Sequence, residues 1–185
     1  MGKMKVVSSK KLIDTPIFSV SHDVAVDPGG FEIQRAIIHH AGSAVIMPVD
    51  EKNRILLVRQ YRLPARDYLW ELPAGRLDQG ETPLQAAKRE LKEETGLKAK
   101  TMTKLASFFV SPGFLEEKMT VFVAEGLTQG EAAWMDDERI EMQWVPAREL
   151  DRMIKDGKIK DAKTIVGFLM WKRHGGAPKA AKSSK

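Results

Sequence analysis

The sequence predicts an α/β fold, a mixed sheet with helices on both sides, preceded by a small antiparallel strand unit. Three observations carry this: alternating apolar runs bracket a single amphipathic helix, two further helical patterns close the chain, and a hairpin pattern opens it. The 185 residues suit one principal domain with a real core.

The opening pattern runs from about Lys11 to His40. Val20, His22, Val24 and Val26 fall on one face and Phe31, Ile33, Arg35 and Ile37 on another, with Asp27-Pro28-Gly29-Gly30 as the turn. Such a unit is too slight to stand alone. It is expected to pack on the main body or on a second subunit, which divides the chain into residues 1–41, a main domain 42–174 and a Gly/Ala/Lys/Ser-rich tail 175–185.

Within the main domain, Ser43 to Val49 and Arg54 to Gln60 read as strands joined by a polar turn at Asp50-Glu51-Lys52-Asn53. Leu69 to Leu72 is a short apolar strand leading to Pro73-Ala74-Gly75. Thr103 to Val110, Met119 to Ala124 and Ile140 to Val145 follow as strands. Pro146 opens a helix that ends near Gly157, and Asp161 caps a last helix carrying Ile165, Phe168, Leu169 and Trp171.

The central helix is the most fully specified element. Thr82 is an N-cap, Pro83 suits the first helical position, Gln85 completes a capping box, and Gly96 stops the helix. Leu84, Ala87 and Leu91 form its apolar stripe. Glu90 and Glu94 lie about 40° apart around the axis, so their carboxylates project side by side. Like charges at this spacing repel, and a hard divalent cation that shares its shell with substrate phosphates would relieve them.

The net charge of +5 does not indicate nucleic-acid binding. Lys3, Lys5, Lys10, Lys11, Lys172, Arg173, Lys179, Lys182 and Lys185 account for nine positive charges at the termini. Without them 21 basic residues face 25 acidic ones, so the excess positive charge belongs to the termini, whereas a nucleic-acid binder usually carries a basic stripe on its folded body. There is no apolar run of membrane length, no signal-peptide pattern and no cysteine. The expectation is a cytoplasmic protein with neither a nucleic-acid nor a membrane partner.

From Gly75 onward the chain reads Gly75, five residues, Glu81, seven residues, then Arg89-Glu90-Leu91-Lys92-Glu93-Glu94-Thr95-Gly96-Leu97. This resembles the Nudix box, G-x5-E-x7-R-E-U-x-E-E-x-G-U with U a bulky aliphatic residue, at every position. The resemblance implies a Nudix α/β/α sandwich and hydrolysis of a nucleoside diphosphate linked to another group, with Mg2+ or Mn2+ at the box glutamates. Pro112, sixteen residues after Gly96, resembles the proline of the ADP-ribose pyrophosphatase subfamily. Arg59-Gln60-Tyr61-Arg62, Glu71-Leu72-Pro73-Ala74-Gly75 and the segment from Gly157 to Thr164 agree with it.

That resemblance implies roles residue by residue. Glu90 and Glu94 are metal ligands, Glu93 joins them, and the Ala74 carbonyl supplies a backbone ligand. Arg89 and Glu81 pair to orient loop and helix. The general base comes from the acidic loop, where Asp136 matches the base position and Glu138 the metal-reaching position; Asp136 is shorter than the usual Glu, so Glu138 is the alternative base. Arg62 is the first choice for the diphosphate, with Arg59 and Arg35 behind it. Glu117 matches a ribose contact, and Phe18, Phe31 or Tyr61 could stack on the base. The implied substrate is ADP-ribose or a related nucleoside diphosphate sugar, with GDP-mannose or non-catalytic sugar-nucleotide sensing as alternatives. The implied assembly is a homodimer formed through the N-terminal strands.

Overall fold

The computed structural model describes residues 2–130 and 140–176. Packing divides the chain into two units, Met1–Gly42 with Phe108–Met119, and Ser43–Ser107 with Thr120–Lys185. Residues 108–119 join the N-terminal unit through backbone: Ile38 donates to the Phe114 carbonyl at 2.8 Å and accepts from the Glu116 amide at 2.9 Å. The basic tail from residue 177 lies outside the described residues.

The first unit holds three antiparallel strands in the order β1-β2-β3: β1 Lys5–Asp14, β2 Ser19–Val26 and β3 Glu32–His39. The Asp27 carboxylate shapes the turn after β2 by accepting the Gly29 and Phe31 amides at 2.8 and 2.9 Å. Strand β1 begins at Lys5, well ahead of the expected start. Its sequence lacks alternation, yet its backbone pairs with β2 through two register irregularities, at Val6/Ser8 and Lys11/Ile13. Every residue of β1 is exposed, including Val6, Val7, Leu12 and Ile13.

The second unit contains β4 Ser43–Pro48, β5 Arg54–Arg62, β6 Asp67–Glu71, β7 Ala74–Arg76, α1 Pro83–Thr95, β10 Glu141–Pro146, α2 Ala147–Lys155 and α3 Ala162–Trp171. Strands β8 Leu97–Phe109 and β9 Lys118–Gln129 begin and end in it respectively. The strands form two sheets, β7-β4-β9-β8 and β10-β5-β6. Strand β7 has no apolar signature of its own. It exists because Ser43, Ala44 and Val45 of β4 pair with Arg76, Gly75 and Ala74.

Alternation along the strands reveals the layers. Ala44, Ile46, Phe122 and Ala124 cluster with Ala86, Ala87 and Leu91 of α1. Gly167 of α3 instead abuts Val121 and Leu72, so closely that an added Cβ would stand 3.0 Å from a Leu72 methyl. Adjacent strand residues point to opposite faces, and Val121 neighbours Phe122, so α1 and α3 cover opposite faces of the sheet. The α/β/α sandwich expected from the sequence is therefore present. The stripe on α1 starts at Ala86 rather than Leu84, whose first-turn position leaves it exposed outside the cluster.

Both ends of α1 are fixed as the sequence requires. Thr82 and Gln85 form the reciprocal capping box, and Gly96 ends the helix at φ +70 with its amide on the Lys92 carbonyl at 2.8 Å. Asp161 caps α3 by accepting the Thr164 amide at 3.0 Å. Among the described residues no helix is long and apolar enough to cross a membrane.

Candidate active site

The caps and the buried Ala86, Ala87 and Leu91 set the rotation of α1, and that rotation aims two carboxylates at strand β7. Glu94, only 5% exposed, accepts the Ala74 amide at 3.2 Å. One turn earlier, the Glu90 carboxylate fills the space over the Gly75 Cα where a side chain would stand. Glycine is required at position 75 because an acid occupies the place of its missing Cβ.

Arg89 ties these acids to the preceding loop. Its Nε and Nη2 fork onto Glu81 at 3.1 and 2.9 Å, Nη1 reaches Glu90 at 2.5 Å and Glu93 at 3.0 Å, and Nη2 also donates to the Arg76 carbonyl at 2.9 Å. The expected pairing of Arg89 with Glu81 is thus present, and it extends to two box glutamates. Hydrogen bonding from Arg89 holds the Glu81 carboxyl below its ordinary range, and the same contacts, Glu81 foremost, raise the Arg89 guanidinium further above its own. Arg89 sets one positive charge against the three box carboxylates it contacts, Glu81, Glu90 and Glu93, so this group carries an excess of negative charge. Such a field attracts a cation.

A second network lies behind β7, and sequence reasoning missed it. Glu71, 1% exposed, receives both Nε and Nη2 of Arg62 at 2.8 Å and a close ion pair from Lys163, which also contacts Asp161 at 2.9 Å. Burial alone would push the Glu71 carboxyl up, but Arg62 and Lys163 outweigh it and hold the group below its ordinary value. The fully buried Thr164 hydroxyl accepts the Leu72 amide at 2.8 Å and donates to Asp161. The start of α3 therefore grips the strand end that leads into Ala74. The available signal was an acid inside the apolar run Leu69 to Leu72, since a buried charge requires partners.

Arg62, expected on phosphate, spends its fork on Glu71. Its Nη1 has no partner among the described residues, and the side chain is 40% exposed. Arg59 lies over the rings of Tyr68 and Trp70 at 5.0 and 5.9 Å and pairs with Glu141 at 3.2 Å, while Tyr61 meets Tyr68 edge-on. Arg35, Phe18, Phe31 and Glu117 belong to the first unit. There Arg35 donates to the Gln34 carbonyl at 2.7 Å, the Phe18 amide donates to Thr15 Oγ1 at 3.0 Å, Phe31 is exposed, and Glu117 stands 3.8 Å from His40. Asp136 and Glu138 lie outside the described residues.

Among the described residues no three His, Asp or Glu side chains converge as a complete metal shell. Glu90 and Glu94 nonetheless meet adjacent residues of β7, and their hard carboxylate oxygens suit a divalent cation that takes its remaining ligands from water and substrate.

Comparison with known proteins places this arrangement. Residues 39–168 match the NUDIX domain. A methanol dehydrogenase activator of Bacillus methanolicus is 35% identical over 90% of this chain and 92% of its own. An ADP-ribose pyrophosphatase of Bacillus subtilis is 35% identical over 89% of this chain and 93% of its own. The crystal structure of an ADP compounds hydrolase superposes with a TM-score of 0.81 at 20% identity, covering 96% of this chain and 98% of that one, which shows a shared fold. The chain belongs to the NUDIX family.

Proposed function

We propose that this protein hydrolyses the pyrophosphate bond of ADP-ribose or a related nucleoside diphosphate sugar, giving a nucleoside monophosphate and a sugar phosphate. The observation that carries this reading is the placement of Glu90 over Gly75 and of Glu94 on the Ala74 amide, within a chain similar over 89% of its length to an ADP-ribose pyrophosphatase.

Glu90 and Glu94 would hold Mg2+ or Mn2+, with Glu93, the Ala74 carbonyl and Glu138 as further donors. When bound, the cation supplies charge neutralisation at the phosphates and lowers the pKa of water. Arg89 keeps Glu90 and Glu93 in register with the loop. Asp136 or Glu138 takes the proton from the attacking water. Arg62, through its uncommitted Nη1, together with Arg59 and Arg35, would contact the diphosphate, with Phe18 on the base and Glu117 on the terminal ribose.

A homodimer through the N-terminal strands is part of the proposal, supported by the exposed apolar side chains of β1. A monomeric solution mass would remove it. The catalytic reading is tested by incubating the protein with ADP-ribose, GDP-mannose, UDP-glucose and nucleoside triphosphates, with Mg2+ and with chelator, and measuring released phosphomonoesters. Chelator-sensitive cleavage favouring ADP-ribose, abolished in Glu94→Gln while the fold persists, is expected. Equal turnover in Glu94→Gln would remove Glu94 from the metal site, and binding of a nucleotide sugar without cleavage would make the protein a sensor.

A further inference from the structure

The face of α1 turned away from Glu90 and Glu94 borders a cavity of about 310 Å³ lined by Lys88, Leu91, Lys92, Lys98, Ala99 and Met102. Lys88 is separated from Glu90, and Lys92 from Glu94, by about 200° around the helix axis. The cavity therefore belongs to the opposite side of the helix from the carboxylate patch.

Its lining combines two chemistries. Leu91 belongs to the buried apolar cluster and Ala99 and Met102 pack against it, so the floor is aliphatic and continuous with the core. The rim is cationic: Lys88, Lys92 and Lys98 are exposed, and among the described residues none of them pairs with an acid. Nothing along the helix compensates them. Lys88 has Leu84, Gln85, Leu91 and Lys92 at helical contact spacing, and Lys92 has Lys88, Arg89, Thr95 and Gly96. Two lysines at i,i+4 repel each other as the two glutamates on the other face do. Among the described residues no acidic side chain lines the cavity.

We infer that this cavity is a binding site for an organic phosphomonoester with an aliphatic body. The phosphate would lie among the three ammonium groups, which act as point charges toward phosphate oxygens, and the body would cover Leu91, Ala99 and the pliable Met102. Among the described residues the lining holds no aromatic ring on which a nucleobase could stack. The volume suits a ligand of a few to about a dozen heavy atoms, at the small end of ligand pockets. This site is independent of the hydrolytic reading, because it shares the helix but no side chain with the carboxylate patch.

The test is titration calorimetry of the full-length protein, in chelator, with n-hexyl phosphate, inorganic phosphate and hexanol. A triple variant, Lys88→Gln with Lys92→Gln and Lys98→Gln, runs in parallel, since these exposed side chains can be neutralised without disturbing the core. Hexyl phosphate is expected to bind at least about tenfold more tightly than either fragment and to weaken at least about tenfold in the triple variant and at raised salt. It should also protect the three lysines from acetylation. Absence of hexyl phosphate binding, equal affinity in the triple variant, or inorganic phosphate binding as tightly as hexyl phosphate would each overturn the site. Tighter binding of adenosine monophosphate, lost in the same variant, would overturn the aliphatic assignment.

Discussion

The Glu90 carboxylate occupies the place where a side chain on Gly75 would begin. Strand β7 and helix α1 can approach this closely only because residue 75 carries no Cβ. Gly75→Ala must displace Glu90, and a displacement on the order of 1 Å at a reacting centre costs about a hundredfold in rate. The expected outcome is a folded protein with metal-dependent turnover reduced by about that factor, checked by circular dichroism beside steady-state kinetics.

Arg89 is one side chain serving Glu81, Glu90, Glu93 and the Arg76 carbonyl. A lysine preserves the charge but replaces the planar fork with a single nitrogen. Arg89→Lys should weaken metal affinity or turnover about 10- to 100-fold, the usual effect of losing a group that orients metal ligands. Titrating activity against Mg2+ concentration separates the two effects. Wild-type behaviour would show that Glu90 keeps its position without the fork.

Glu71 predicts a pH dependence of stability. Its carboxyl titrates below the ordinary 4.5 when folded, so its contribution is complete above that value and is lost as pH falls through the lower folded value. Glu71→Gln leaves Lys163 and Arg62 without their shared anion and should cost about 3 kcal/mol at neutral pH. Urea unfolding at several pH values should show the gap between wild type and variant closing as pH falls below 4.5. A gap that stays constant with pH would mean that the loss comes from packing rather than charge.

Thr82 anchors the start of α1, accepting the Gln85 amide while Gln85 accepts the Thr82 amide at 2.9 Å. Thr82→Ala should cost about 1 kcal/mol. Denaturant unfolding measures it directly.

The parts legible in the sequence are those governed by near neighbours. The caps at Thr82 and Gly96, the helical spacing of Glu90 and Glu94, the Asp161 cap of α3 and the Asp27 turn each depend on a few consecutive residues, and each is found in the structure. Strand β7 was not legible, because Ala-Gly-Arg carries no pattern and becomes a strand only through its pairing with β4. The fork of Arg62 onto Glu71 was not legible either, because Glu71 lies on a different strand, and Lys163, which shares that partner, is 92 residues from Glu71 in sequence. The length of β1 was hidden for a similar reason: its exposed side chains report nothing, and only its backbone partners define it.

The sequence by itself determined a rigid, doubly capped helix with its acids on one face, and with it membership of the family. Which backbone those acids meet was decided only when the β4–β7 pairing brought Ala74 and Gly75 beneath Glu94 and Glu90. The reason is physical: helix periodicity and capping are local and repeat along the chain, whereas strand pairing and buried ion networks are contacts between distant segments, selected by the requirement that every buried polar group find a partner.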